Sequence, residues 1–309
     1  MDMVGGMEWF AAAREWSGHA RGRLFSAPAT PFDVAGIARP EQASDYFREL
    51  VASGADGLAI AAHTGRGPHL DAAAKSELIR VARGAGADVI VGGQTPTDAR
   101  AAADAGADAL LVFPVPVDEA SELRRFDALW DAARLPLVAF DLYTAPYSDT
   151  VFASVVDHPA VAAVKLARLS DAVACQDRIA VVRARGKLAI TGEDRMFGAS
   201  LTWGAEAALV GIAAAAVTLT RAVLDSFGGN DLSAFLDASR RLDTFAAATF
   251  REPFDGYVQR MAWIAQAEGL LPDHLVTDPF APALPDGERA RVLEVFARTI
   301  SGHSRPRAS

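Results

Sequence analysis

The sequence predicts an α/β protein built as a (β/α)8 TIM barrel with a C-terminal helical extension. Two observations predict it. Apolar runs of strand length alternate with alanine-rich helical patterns along most of the chain. A Gly-Ala-acidic step recurs where helices hand over to strands, as Gly54-Ala55-Asp56, Gly86-Ala87-Asp88, Gly106-Ala107-Asp108 and Gly204-Ala205-Glu206. A glycine just past a helix takes the left-handed cap, so these are four copies of one joint in a βα repeat.

Taken in order, residues 1–21 form an N-terminal extension in which Met1 to Trp16 holds Asp2, Glu8 and Glu15 in a weak amphipathic pattern. It lacks the basic and apolar regions of a signal peptide, and a cytoplasmic protein is expected. The first strand ends in Pro28-Ala29-Thr30-Pro31, where prolines stop any helix. A helix over 40–53 follows. Strands are expected near 23–30, 57–62, 88–92, 108–113, 136–141, 161–166, 187–192 and 206–211. Eight strands match a closed barrel. An open doubly wound sheet would need a glycine fingerprint after the first strand, and Pro28-Ala29-Thr30-Pro31 is nothing like one. Helical stretches near 214–226, 231–249, 253–268 and 284–298 exceed what closure requires. The division expected is therefore an extension over 1–21, a barrel with the active site over 22–230, and a helical subdomain with a frayed tail over 231–309.

Thirty-nine acidic against thirty basic residues give a net charge of −9, with no basic cluster, which argues against nucleic acid as a partner. The single cysteine, Cys175, excludes an intrachain disulfide and a cysteine-rich zinc site. The apolar run from Ala205 to Leu219 contains Glu206, Gly211 and Thr218, which suits barrel elements better than a membrane span.

Lysine is nearly absent: only Lys75, Lys165 and Lys187 occur. Lys165 lies in Val161-Ala162-Ala163-Val164-Lys165-Leu166, a run apolar enough to be buried on both faces. Two readings stand. The lysine ends the strand and snorkels to solvent or a carboxylate, or it is desolvated, with a lowered pKa that supplies a neutral amine to a ketone. Barrel active sites gather at the C-terminal ends of the strands. There the sequence places His63-Thr64-Gly65-Arg66, Phe140-Asp141-Leu142-Tyr143, Lys165, Gly192-Glu193-Asp194 and Val210-Gly211.

These residues resemble the dihydrodipicolinate synthase and N-acetylneuraminate lyase family of class I aldolases. The likeness runs over about residues 22–270 and rests on an ordered set of short matches. They are Ala29-Thr30-Pro31-Phe32, Thr64-Gly65, Val164-Lys165, Gly192-Glu193-Asp194 and Phe250-Arg251-Glu252-Pro253. The resemblance implies that Lys165 forms an imine with pyruvate or another 2-oxo acid, and that an aldehyde is the second partner in addition or cleavage. It implies that Thr64 and Gly65 hold the substrate carboxylate, with backbone groups near Gly192 and Ala208 as further pocket walls. It also implies a homo-oligomer, dimer or tetramer, and no cofactor.

The departures matter as much. His63 replaces the first threonine of the family's Thr-Thr-Gly stretch, and Arg66 stands where a glutamate is usual. The family's fifth-strand tyrosine falls on Phe140 in an ungapped register, with Asp141 for the asparagine, or on Tyr143 if aligned through Pro146. A second tyrosine after the fourth strand is absent, where Phe113-Pro114-Val115-Pro116 stands. Authentic dihydrodipicolinate synthesis is therefore not expected, and His63 and Asp141 are the candidate replacements for the proton relay, with Tyr143 as a third. Arg66 either clamps a second substrate carboxylate or pairs with a surface acid. Asp194 is read as capping the following helix. Two alternatives remain in view: a metal-dependent barrel lyase using His63, Asp141 and Glu193, and a retired barrel that binds a 2-oxo acid without turnover.

Overall fold

The computed structural model describes residues 3–229 and 231–301, and the tail expected over 305–309 lies outside the described residues. Eight parallel strands close a barrel in sequence order. They are β1 (Leu24–Ser26), β2 (Gly57–Ile60), β3 (Asp88–Gly93), β4 (Ala109–Val112), β5 (Leu137–Leu142), β6 (Val161–Ala167), β7 (Leu188–Thr191) and β8 (Ala207–Val210). Helix α1 (Met3–Ala20) precedes the barrel. Between strands run α2 (Ser44–Ala52), α3 (Ala72–Gly84), α4 (Pro96–Ala105), α5 (Glu119–Ala133), α6 (Asp149–Asp157), α7 (Ala172–Ala184) and α8 (Phe197–Thr202). After β8 come α9 (Val217–Gly228), α10 (Leu232–Thr249), α11 (Tyr257–Ala267) and α12 (Glu288–Ser301). The predicted helix over 253–268 starts only at Tyr257, because Pro253 and a 3-10 turn over Phe254–Gly256 come first.

The recurring joint has a physical reason at both ends. Gly54, Gly86, Gly106 and Gly204 all sit at positive φ, 110°, 80°, 93° and 108°, where a side chain would be strained. The acidic residue two positions on reaches the preceding strand. Asp56 accepts the Leu24 N–H at 2.8 Å and Asp108 accepts the Val89 N–H at 2.7 Å. All four joints end a helix, and those at Asp56 and Asp108 also satisfy a backbone donor of the neighbouring strand.

Side-chain alternation divides the apolar residues into two layers. Phe25, Ile90, Leu111, Val138, Phe140, Ala163, Ile190 and Leu209 fill the barrel interior, whereas Leu58, Val89, Leu110, Ala139, Val164 and Ala208 face the helices. The floor of the interior is closed by α1. Its Trp16 ring stacks on Phe25 with centroids 6.1 Å apart, and Ser17 donates to the Ala162 carbonyl at 2.5 Å. The segment read as an extension therefore packs across the N-terminal ends of the strands.

At the opposite end, the chain between α10 and α11 folds back over the barrel mouth. Arg260, fully buried, donates to the carbonyl oxygens of Thr249, Arg251 and Pro253 at 3.1, 2.9 and 3.2 Å, and pairs with Glu288 at 2.6 Å. One guanidinium thus organises the turn that brings Phe250, Phe254 and Tyr257 toward the strands. Replacing Arg260 by methionine leaves several buried carbonyls without their donor and Glu288 with Arg291 alone, at 2.8 Å. Arg260→Met should cost about 3 kcal/mol, read as a lower denaturant midpoint in equilibrium unfolding.

Candidate active site

Strand β6 pairs with β5 so that Lys165 lies beside Phe140, and with β7 so that it lies beside Ile190. Its neighbours Ala163 and Ala167 belong to the interior layer, and so does its side chain. The lysine is 5% exposed, with Nζ 4.0 Å from the centroid of the Phe140 ring. No salt bridge or hydrogen bond joins Nζ to any described residue. Burial lowers its pKa from the usual lysine range to about 8, against the opposing pull of Asp194 and Glu193. Of the two readings of this lysine, the geometry matches the desolvated one. Gly192 is required beside it, since a Cβ there would stand 2.7 Å from Lys165 Cε.

Around the amine is a narrow recess of ≈ 420 Å3 including its open mouth. His63, Thr64, Tyr143, Gly192, Glu193 and Asp194 line it with Lys165. Phe140, Leu142, Leu169, Phe250 and Phe254 supply an apolar part of the wall, and Tyr257 adds a further phenol. Phe140 keeps the strand position next to Lys165, while Tyr143 sits just above β5, its ring edge-on to His63 at 6.1 Å. Burial raises the Tyr143 phenol to about 12. Gly65 stands behind the wall, its carbonyl accepting the Thr30 hydroxyl at 2.7 Å. No backbone acceptor among the described residues takes the N–H of Thr64 or Gly65.

Both carboxylates after β7 are buried enough to resist ionisation. Glu193 is raised to about 7 by burial, although it accepts the N–H groups of Arg168 and Leu169, the latter at 3.0 Å. Asp194 is also raised by burial, and it accepts the Ile212 N–H at 2.7 Å. Asp194 therefore does not cap α8; it ties the end of β7 to the chain after β8.

Besides Gly65, three expected site residues do not reach the recess. Asp141 lies on the outward phase of β5, where it accepts the Tyr147 N–H at 3.0 Å and faces Arg168 at 3.3 Å and Arg178 at 3.7 Å. A residue one step from Phe140 on a strand must point the other way. That correction also removes a ligand from the metal set of His63, Asp141 and Glu193. Among the described residues, no group of three or more His, Cys, Asp or Glu side chains is placed to hold a metal. Ala208 likewise faces the helix layer, and Gly211 takes its place on the wall. Arg66 is no free clamp. Its guanidinium is held by Asp278 at 2.6 Å and Asp255 at 2.9 Å, and both its side chain and that of Asp278 are buried.

Sequence reasoning missed Tyr257. Its buried hydroxyl lies 3.1 Å from His63 Nδ1 and 3.0 Å from Thr64 Oγ1, and its ring stacks on Phe250 with centroids 4.4 Å apart. No spacing rule links residue 257 to a loop nearly two hundred positions earlier. Asp255, 3.6 Å from His63 Nε2, was missed for the same reason.

Comparison with known proteins now decides the lineage. The model of the dihydrodipicolinate synthetase family matches residues 20–293. The chain belongs to this family. A family relative, 4-hydroxy-tetrahydrodipicolinate synthase 2 of Streptomyces coelicolor, is 30% identical over 247 residues, covering 74% of this chain and 81% of the relative. Dihydrodipicolinate synthase from Oceanobacillus iheyensis has the same fold, with a TM-score of 0.81 at 16% identity over 94% of this chain and 99% of that one. A prophage protein of the dihydrodipicolinic acid synthase family from E. coli K12, solved in complex with pyruvate, superposes with a TM-score of 0.78 at 19% identity, covering 90% and 98% of the two chains. As a member of the family, the protein is an enzyme of the Schiff-base lyase type. No helix among the described residues is long and apolar enough to cross a membrane.

A small amine reagent such as cyanate should modify Lys165 with a rate that rises through pH 8 as the amine loses its proton. Asp194→Asn removes a charge that favours the ammonium form, so the midpoint should move to lower pH. Peptide mass spectrometry across a pH series checks both; a midpoint in the ordinary lysine range near 10.4 would contradict the environment described.

Proposed function

We propose that this protein is a class I lyase that joins Lys165 to a 2-oxo acid of the pyruvate type. The observation that carries the proposal is the desolvated amine at the C-terminal mouth of the barrel, deprotonated far more readily than an ordinary lysine. The neutral Nζ attacks the C2 carbonyl. A C–N bond forms and the carbonyl π pair moves to oxygen; that oxygen takes one proton from the nitrogen and a second from an acid, the C–O bond breaks to release water, and the nitrogen lone pair forms the C=N bond of the iminium. Loss of a C3 proton gives an enamine. Its C3 forms a carbon–carbon bond to an aldehyde, or the same steps run in reverse to break one.

Thr64 lines the recess wall, where its hydroxyl and its N–H can meet the substrate carboxylate. The pyruvate held by the E. coli relative supports this substrate class. Phe140 beside Lys165 and Phe113 at the mouth of β4 have no hydroxyl to offer, which argues for a reaction other than 4-hydroxy-tetrahydrodipicolinate synthesis. Arg66, already neutralised, leaves the acceptor side without a free cation from that position, so the aldehyde partner need not be anionic.

Incubation with pyruvate and borohydride should leave a reduced adduct on the Lys165 peptide. Lys165→Ala should show none while keeping a cooperative melting transition. Absence of any adduct across a panel of 2-oxo acids would sink the proposal. An adduct without turnover on any aldehyde would instead mark a binding protein.

A further inference from the structure

The imine chemistry proposed above needs a group that moves protons, and the family's fifth-strand tyrosine position, in either register, lacks a tyrosine or leaves it unbonded. Phe140 occupies the strand position beside Lys165, and no hydrogen bond from the Tyr143 hydroxyl links it to a described residue. One phenol in the recess is built into a hydrogen-bonded chain. Tyr257 Oη lies 3.0 Å from Thr64 Oγ1 on the inner side and 3.1 Å from His63 Nδ1 on the outer side. His63 Nε2 in turn lies 3.6 Å from Asp255 Oδ1, and the Asp255 side chain is 48% exposed. The ends of this row differ in the way a relay requires: one lines the recess that holds Lys165, the other meets water.

We propose that Tyr257, contributed by α11 of the C-terminal segment, is the proton-carrying residue of this enzyme, passing protons between the recess and solvent through Thr64 and His63. The proposal rests on the Schiff-base reading of Lys165. In the dehydration step the carbinolamine oxygen takes a proton from the Thr64–Tyr257 hydroxyl pair. Tyr257 is replenished from His63 Nδ1–H, and His63 Nε2 takes a proton from the solvent edge near Asp255. The carbinolamine C–O bond breaks, its pair leaves with water, and the nitrogen lone pair forms the C=N bond. Loss of the C3 proton runs the row in the opposite direction. Neutral imidazole suffices for this, because it gives a proton at one nitrogen while taking one at the other. Burial keeps His63 neutral, with its pKa lowered to about 4.

Three features hold the row in place. Tyr257 is stacked on Phe250, Arg66 anchors Asp255 and Asp278, and Arg260 fixes the turn that precedes α11. The positions of His63 and Tyr257 are coupled through a 3.1 Å contact and through rings with centroids 5.8 Å apart, between residues 194 apart in sequence.

The test needs no knowledge of the acceptor. Wild-type protein with pyruvate in D2O should exchange the pyruvate methyl protons, followed by NMR, and should be trapped on Lys165 by borohydride. Tyr257→Phe keeps the ring but loses the hydroxyl. At long incubation it should reach the same final extent of trapping, only more slowly, while methyl exchange falls about 100-fold, in the range of a lost general acid–base group. A merely structural role would lower the final extent of trapping as well. Exchange within about threefold of wild type, or its abolition by Tyr143→Phe but not by Tyr257→Phe, would overturn the relay. If Tyr257→Phe fails to show a cooperative melting transition, His63→Gln carries the same test, because an amide cannot exchange protons between two ring nitrogens; undiminished exchange there overturns the proposal equally. Failure of wild-type trapping would instead count against the Schiff-base reading itself.

Discussion

The amine of Lys165 is placed where hydrocarbon lies on the barrel side and only Glu193 and Asp194 answer its charge from the mouth. That constraint shapes the rest of the site. An ammonium there has lost most of its hydration, and the two carboxylates are buried enough that burial pushes them toward their neutral forms as well. Desolvation therefore acts on both partners in the same sense, and their mutual attraction opposes it. The balance leaves the amine able to lose its proton near neutrality while the strand around it stays fully buried.

The second constraint is that the barrel alone does not complete the recess. Arg66, on the loop after β2, is clamped by Asp255 and Asp278 from the far end of the sequence. Arg260 gathers the carbonyls of the 249–253 turn and Glu288 of α12. Both guanidiniums are planar donors with several N–H groups, suited to satisfying many acceptors at once in a buried place. Lysine could not do this, and the chain uses arginine in both positions. Their joint effect is to press Phe250, Phe254 and Tyr257 onto the open end of the strands, where an interior surface would otherwise meet water.

Much of the fold was legible because it is written in local chemistry. The four glycine joints, the proline stop after β1 and the short apolar runs each report on neighbouring residues, and the eight strands appear where those signals put them. Placement along a strand was legible too: Lys165, His63, Thr64, Tyr143 and Gly192 do stand at one mouth. Direction was harder. Asp141 was expected in the recess because it ends an apolar strand, but its phase relative to Phe140 turns it outward to Arg168 and Arg178, and Ala208 is turned away by the same alternation on β8.

The sequence by itself determined the βα repeat, the buried lysine and the loops that surround it, since period, caps and composition act over a few residues. Only the tertiary structure decided what Lys165 meets. For Arg66 the sequence leaves open a substrate clamp or a surface acid, and the partner that holds it is buried Asp278, more than two hundred residues away; Tyr257 carries no local signal, and its hydroxyl lies between His63 and Thr64. Contacts of that length are set by how a closed barrel brings its last segment back over its first loops, and no local pattern in the chain encodes them.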